Sequence, residues 1–267
     1  MQASVVISYY KNIPNLELIL LGLNRQSAKG EFEVIISEDD DAIETVHFID
    51  QQRKQLNFPI IHLSQEDTGF RKCKALNKAV NAATTDLVIF IDGDCIPHKH
   101  FIKQYIKQKS CGDVLFGRRV KLSEKITQLL LKNKRLGALN FLNLLLTGCQ
   151  RVEEGLYLPL LTKKLKKKKS GRLLGCNMGI AKKSLTTING FDEDYIAPGA
   201  GEDSDIEWRL EASGATFHSM KFSSIVYHLY HEERFNREME RKNFETMMYP
   251  KMKLGFFACK NGLTKLP

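Results

Sequence analysis

Four apolar, β-branched segments recur along the first hundred residues: SVVISYY (4–10), EFEVIIS (31–37), PIIHLS (59–64) and DLVIFID (86–92). Helical patterns alternate with them. In 15–26 the stripe Leu16, Ile19, Leu20 and Leu23 repeats at helical spacing, and residues 42–56 and 73–83 also read as helices. This alternation predicts an α/β fold, a mostly parallel sheet with helices on both faces. Such sheets bind ligands at the carboxyl ends of their strands. The polar residues at those ends are Ser8 and Tyr9, Glu38 and Asp39, and Asp92 and Asp94, so all are expected on one edge.

The chain has 267 residues, 43% hydrophobic, with only 7 prolines, which excludes a disordered or fibrous protein and suits one large domain or two small ones. Its formal charge of +9 is concentrated in KKLKKKKSGR (163–172), which holds seven positive charges and no acid. The remainder is nearly neutral, so no broad nucleic-acid surface is expected. No apolar run approaches the ~20 residues of a spanning helix. The start, MQASVVISYYKN, reads as a first strand and not as a secretion signal. Six cysteines lie without a C-x-x-C pair and are expected as reduced thiols in a cytosol.

Residues 123–170 differ in character. They are rich in leucine, interrupted by Lys132, Lys134 and Arg135. Two readings stand: a helical insertion packed on the core, or an interfacial helix pair that meets an anionic membrane together with the lysine run.

Three constellations carry chemistry. Asp92-Gly93-Asp94 follows four apolar residues at a strand exit, and paired hard oxygens there suit Mg2+ or Mn2+ with phosphate oxygens, although Asp-Gly is also common in turns. Glu202, Asp203 and Asp205 follow the glycine-rich Gly199-Ala200-Gly201 and open a helix. The helix dipole explains some of these acids, and one could be a general base. Trp208 of the same helix is expected in the core. His228 and His231, at i and i+3 after a strand-like SSIVY, are candidates for a metal ligand.

As an ordered set, these motifs resemble family 2 glycosyltransferases of the GT-A fold, and the second half resembles the galactosyltransferase C-terminal module. The similarity runs over roughly 3–235: SVVISYYKN, VIISEDDDA, FRKCKALNKAV, VIFIDGDCIP, then GCNMGIAKKSLTTINGFDEDY and GAGEDSDIEWRL. It implies one GT-A domain over 1–235, with a nucleotide-sugar half (1–122), the 123–170 insertion and an acceptor half (171–235), followed by a helical tail, 236–267. By position, Asp94 and His228 would bind Mn2+ or Mg2+, with Asp92 holding the ribose or reaching the metal through water. Asp203 would be the general base and Glu202 would orient the acceptor. Ser8, Tyr9, Glu38, Arg71, Asn77 and Gly93 would line the donor site. Leu76 stands where the family commonly has Arg, and Gly199 where β1,4-galactosyltransferases carry Trp.

The implied activity is inverting transfer of a hexose or N-acetylhexosamine, Gal or GalNAc favoured, from a UDP-sugar to a glycan or lipid-linked glycan in cell-surface polysaccharide or lipopolysaccharide synthesis. The expected place is the cytoplasm, peripheral on the plasma membrane. Two alternatives are a nucleotidyltransferase and a non-catalytic, basic membrane- or polyanion-binding module on the same scaffold. SYYKNIPN has no glycine-rich phosphate loop, which speaks against the first; Asp94, Asp203 and His228 are all present, against the second.

Overall fold

The computed structural model describes residues 1–162, 173–198, 201–232 and 237–266. Strands β1 (Ala3–Tyr9), β2 (Phe32–Glu38), β3 (Ile60–Leu63) and β4 (Leu87–Asp92) are parallel and lie in the order β3-β2-β1-β4. Helices α1 (Ile13–Asn24), α2 (Ile43–Arg53) and α3 (Lys72–Ala82) connect them. The register pairs Tyr9 with Glu38 and Ser8 with Asp92, which brings the polar strand ends level. Both faces are buried. Val5, Ile7, Ile89 and Ile91 join α1 in one core, whereas Val6, Val88 and Phe90 join α3 in the other. All four residues of the α1 stripe are fully buried, as the 3.6-residue period requires.

Beyond β4 come β5 (Cys95–Pro97), α4 (Phe101–Gln108), β6 (Val114–Phe116) and β7 (Arg118–Lys121). The insertion contributes α5 (Glu124–Asn133), α6 (Phe141–Leu146) and α7 (Pro159–Thr162). The chain then adds β8 (Met178–Ala181), α8 (Lys182–Thr187), α9 (Glu202–Ala212), β9 (Phe217–Ser219) and β10 (Ile225–His228). Strand β8 enters antiparallel between β4 and β6, and β9 closes the sheet beside β6. A second sheet, β5-β10-β7, stands apart from the first.

The insertion is helical. In α6 only Leu144 is buried, while Leu142, Leu145 and Leu146 are exposed. The lysine run at 163–172 lies outside the described residues. The tail is helical only in part. Helices α10 (Arg237–Asn243) and α11 (Tyr249–Leu254) flank a π turn at Phe244–Met248, and a non-helical clasp follows. In that clasp Asn189 donates to the carbonyls of Cys259 (2.8 Å) and Thr264 (2.9 Å), and it accepts from the Thr264 N–H at 3.0 Å. Leu263 packs on the α3-side core.

Candidate active site

The site begins at the exit of β4. A Cβ on Gly93 would stand 2.8 Å from the Ser8 carbonyl oxygen, so only glycine lets β4 pass so close to the end of β1. The backbone then enters β5, which pairs antiparallel with β10 so that Cys95 faces His228. The Leu229 N–H donates to the Asp94 carbonyl at 2.8 Å and extends this pairing past the strand. Asp94 Oδ2 consequently lies 3.5 Å from His228 Nε2 and 3.1 Å from His231 Nε2. The turn that presents His231 is tied to α5 by Tyr230 N–H donating to Thr127 Oγ1 (2.9 Å). The insertion thus buttresses the site.

Asp94, His228 and His231 each offer one ligand atom within 4.8 Å of one another. Burial raises the Asp94 carboxyl, but the hydrogen bond from His231 and the charge of His228 outweigh it and bring it down to about 2. Burial lowers His228, which favours the neutral imidazole a metal needs. One carboxylate oxygen with two imidazole nitrogens is a donor set that fits a divalent ion, and Mn2+ suits the mixture better than Mg2+.

Asp92 is placed differently. Its Oδ1 is 3.0 Å from Lys72 Nζ, and Lys72 is also 3.9 Å from Glu202 Oε1. Asp92 is therefore outside the three-residue cluster and is paired with Lys72. Burial would lower the Lys72 ammonium, but Asp92, Asp203 and Glu202 hold it well above its ordinary value. One fixed cation thus joins the acid of β4 to the acids that open α9.

Asp203 accepts a hydrogen bond from the Gly175 N–H at 2.8 Å, and Leu173 N–H donates to Glu207 Oε2 at 2.5 Å, so α9 is fastened to the segment leading into β8. Burial raises the Asp203 carboxyl more than Lys72 lowers it. Glu202 is raised too, chiefly by burial and despite Lys72. A raised carboxylate at a strand-end cleft is suited to accept a proton. Asp205, the third acid, points into the core, with Oδ2 accepting from Arg209 Nε at 2.6 Å. Arg209 also donates to the carbonyls of Ile188 (3.0 Å) and Gly190 (2.7 Å). The buried face of α9 is Asp205, Ile206, Arg209 and Leu210, and Trp208, expected in the core, is only half-buried.

Several expected donor residues carry contacts of the fold. Asn77 is buried and its amide is spent. Nδ2 donates to the Phe191 carbonyl (2.8 Å) and to Glu193 Oε1 (3.0 Å), and Oδ1 accepts from Phe191 N–H (2.8 Å). Glu38 is sealed from solvent with Oε2 on His62 Nε2 at 2.7 Å, and Tyr9 packs into the α1-side core. Their neighbours stay at the edge. Asp39 Oδ2 accepts from the Arg71 N–H at 2.7 Å, and Ser8 is half-buried against Gly93. Lys72 and the Gly175 contact had no place in the reading of the sequence, which led to one histidine on Asp94 where the fold brings two. The second basic residue of Phe70-Arg71-Lys72 and the i,i+3 histidine spacing were the available signals.

A parallel sheet with its acids gathered at the carboxyl edge, and a small second sheet presenting histidines to them, is the GT-A glycosyltransferase architecture. Among solved structures, Staphylococcus aureus TarS in complex with UDP superposes with a TM-score of 0.60 at 17% identity, covering 95% of this chain and 75% of that one. The mannosyltransferase PcManGT from Pyrobaculum calidifontis, in complex with GDP-Man and Mn2+, gives 0.62 at 14% identity over 95% of this chain and 64% of that one. In sequence, the profile of glycosyl transferase family 2 matches residues 4–184, and that described as the N-terminal domain of galactosyltransferase matches 161–232. The chain belongs to glycosyl transferase family 2. Escherichia coli chondroitin synthase is 27% identical over 240 residues, 84% of this chain and 34% of that protein. This chain spans about a third or less of the length of the curated relatives it matches.

Proposed function

We propose that this chain is an inverting, metal-dependent glycosyltransferase that moves a hexose or N-acetylhexosamine from a UDP-sugar to a glycan acceptor. The observation that carries this reading is the meeting of Asp94, His228 and His231 with Asp203, Glu202 and Lys72 at one sheet edge. UDP as donor is supported by the UDP complex of the TarS neighbour, and a divalent metal by the Mn2+ of the mannosyltransferase.

Asp94, His228 and His231 would hold the ion, which when bound supplies Lewis-acid neutralisation of the charge building on a departing diphosphate. The protein does the rest. Lys72 holds Asp92 and Glu202 in place. Asp203, fixed by the Gly175 N–H, takes the proton from the acceptor hydroxyl as that oxygen attacks the anomeric carbon from the face opposite the leaving group. A single displacement inverts the configuration. Glu202, one residue earlier, orients the acceptor.

The exposed leucines of α6, followed in sequence by the basic run 163–172, support docking on an anionic membrane surface. No helix among the described residues is long and apolar enough to cross a membrane.

The test is UDP release from a panel of UDP-sugars, with and without EDTA, for wild type and Asp94→Ala. Mn2+-dependent turnover and UDP binding, both lost in the variant, are expected. Undiminished Mn2+-dependent UDP affinity in the variant would refute the assignment.

A further inference from the structure

The tail helix spans Arg237–Leu254 and lies beyond the segments that match either family profile, which end at residues 184 and 232. It is held against the acceptor half. Lys251 pairs with Asp192 and sits 3.7 Å from Asp205 Oδ1, and the clasp after it is bonded to Asn189. Between this helix and the start of α9 lies a cavity of about 240 Å³, walled by Tyr195, Gly201, Arg237, Glu240, Arg241 and Phe244. Gly201 has a φ of +96°, which disfavours any side chain, and Glu202 and Asp203 follow it directly. The cavity therefore lies against the first turn of the helix that carries the carboxylate assigned as the base.

Its chemistry is specific. Phe244, 43% exposed, offers ring surface of the kind that packs against the apolar face of a sugar, while the buried Tyr195 backs the cavity. Arg237 makes no hydrogen bond or ion pair among the described residues, and Arg241 meets only Glu245, at 3.9 Å with both side chains mostly exposed. Exposed pairs of that length contribute little, so this guanidinium is available at small cost. Two arginines against the single acid Glu240 leave the wall with a net positive charge. The guanidinium fork matches a carboxylate or phosphate in two-point contact, which a neutral sugar cannot offer.

We propose that this cavity is an acceptor subsite and that the acceptor is an anionic glycan, whose carboxylate or phosphate is read by Arg237 and Arg241. The proposal rests on the glycosyltransferase reading only for the word acceptor; the anion preference is a binding property that can be measured alone. The full chain and R237Q/R241Q are titrated calorimetrically at low and high salt with three probes. These are a glucuronate-containing hexasaccharide, its carboxyl-reduced neutral counterpart and a ribitol-phosphate hexamer. Wild type is expected to bind at least one anionic probe about 10- to 100-fold more tightly than the neutral one, the preference fading with salt. Whichever probe binds identifies carboxylate or phosphate as the group recognised. R237Q/R241Q should lose the preference while Mn2+-dependent UDP binding stays within about twofold, and R237K/R241K should keep part of it. Equal affinity for neutral and anionic probes, no binding of either anionic probe at low salt, or a preference that survives the double Gln change overturns the proposal. Absence of Mn2+-dependent UDP binding in wild type would instead count against the glycosyltransferase reading, and the glycan comparison does not depend on it.

Discussion

Gly175→Ala should separate the proposed acceptor base from the donor site. The Gly175 N–H donates to Asp203 Oδ2 at 2.8 Å, and a Cβ there would stand 2.7 Å from Oδ1 and 3.2 Å from Oδ2. The φ of Gly175 is not in the left-handed region, so alanine is tolerated by the backbone and the conflict is with the carboxylate alone. Carbon and oxygen rest at about 3.3 Å or more, so Asp203 must retreat by roughly 0.6 Å. Retreat along α9 is restrained by the Leu173–Glu207 hydrogen bond one turn further on, so the side chain rotates and its bond to the turn lengthens. Misplacing a reacting group by ~1 Å can cost ~100-fold, and half that shift plus a weakened hydrogen bond gives ~10- to 100-fold, or about 1.4–2.7 kcal/mol in the barrier. Stability should fall by no more than ~2.5 kcal/mol, because overpacking of ~1–3 kcal/mol is partly offset by the ~0.4–1 kcal/mol that alanine removes from the unfolded chain's entropy. The assay is the initial rate of UDP release with acceptor present, alongside a Mn2+-dependent UDP titration. The expectation is a lower kcat with UDP affinity within about twofold of wild type. A wild-type kcat, or an equal fall in UDP affinity, would show that Asp203 does not act where the geometry puts it.

Three further outcomes follow from the same contacts. Because burial raises the Asp203 carboxyl, its base form is lost as pH falls through that elevated value; the acid limb of kcat should lie above the ~3.9 of a free aspartate, and Asp203→Asn should lose ~10²–10⁴-fold, as read in a pH–rate profile. Arg209→Met leaves Asp205 buried beside only the more distant Lys251, and a loss of ~3–5 kcal/mol, or roughly 6–20 °C in Tm, is expected by calorimetry. In liposome co-sedimentation the wild type should bind anionic but not neutral vesicles, less in high salt, and changing Lys163, Lys164, Lys166, Lys167, Lys168 and Lys169 to Gln should abolish it; indifference of the wild type to anionic vesicles assigns that segment elsewhere.

The strand–helix alternation was legible because it is local. The central strands β1, β2 and β4 are buried on both faces, so they are mostly apolar, and α1 and α3 show their own buried stripes. The carboxyl edge follows from that alternation, and Asp94 with it. What could not be read were the partners supplied from far along the chain. Asn77 sits in a motif that suggests a nucleotide contact, yet its amide is claimed by Phe191 and Glu193, more than a hundred residues away. Glu38 and Asp39 are adjacent acids on one strand end, and only the position of His62 on the neighbouring strand decides that Glu38 is sealed.

The acids that open α9 show how geometry divides a run that composition leaves undivided. Asp205 and Arg209 are separated by one helical turn on the inward stripe, so they pair in the core and staple the Ile188–Gly190 loop. Glu202 and Asp203 lie in the first turn, off that stripe, where they reach the sheet edge and Lys72. Without a cation there, burial would raise the Glu202 and Asp203 carboxyls further, and a protonated Asp203 could not serve as the proposed base. Lys72 supplies that cation from the first residue of α3, a helix otherwise buried through Cys73, Leu76 and Val80. Its ammonium is bonded to the β4 acid and near the α9 acid at once. The strand that ends at the proposed metal site and the helix that carries the proposed base are therefore coupled by one side chain.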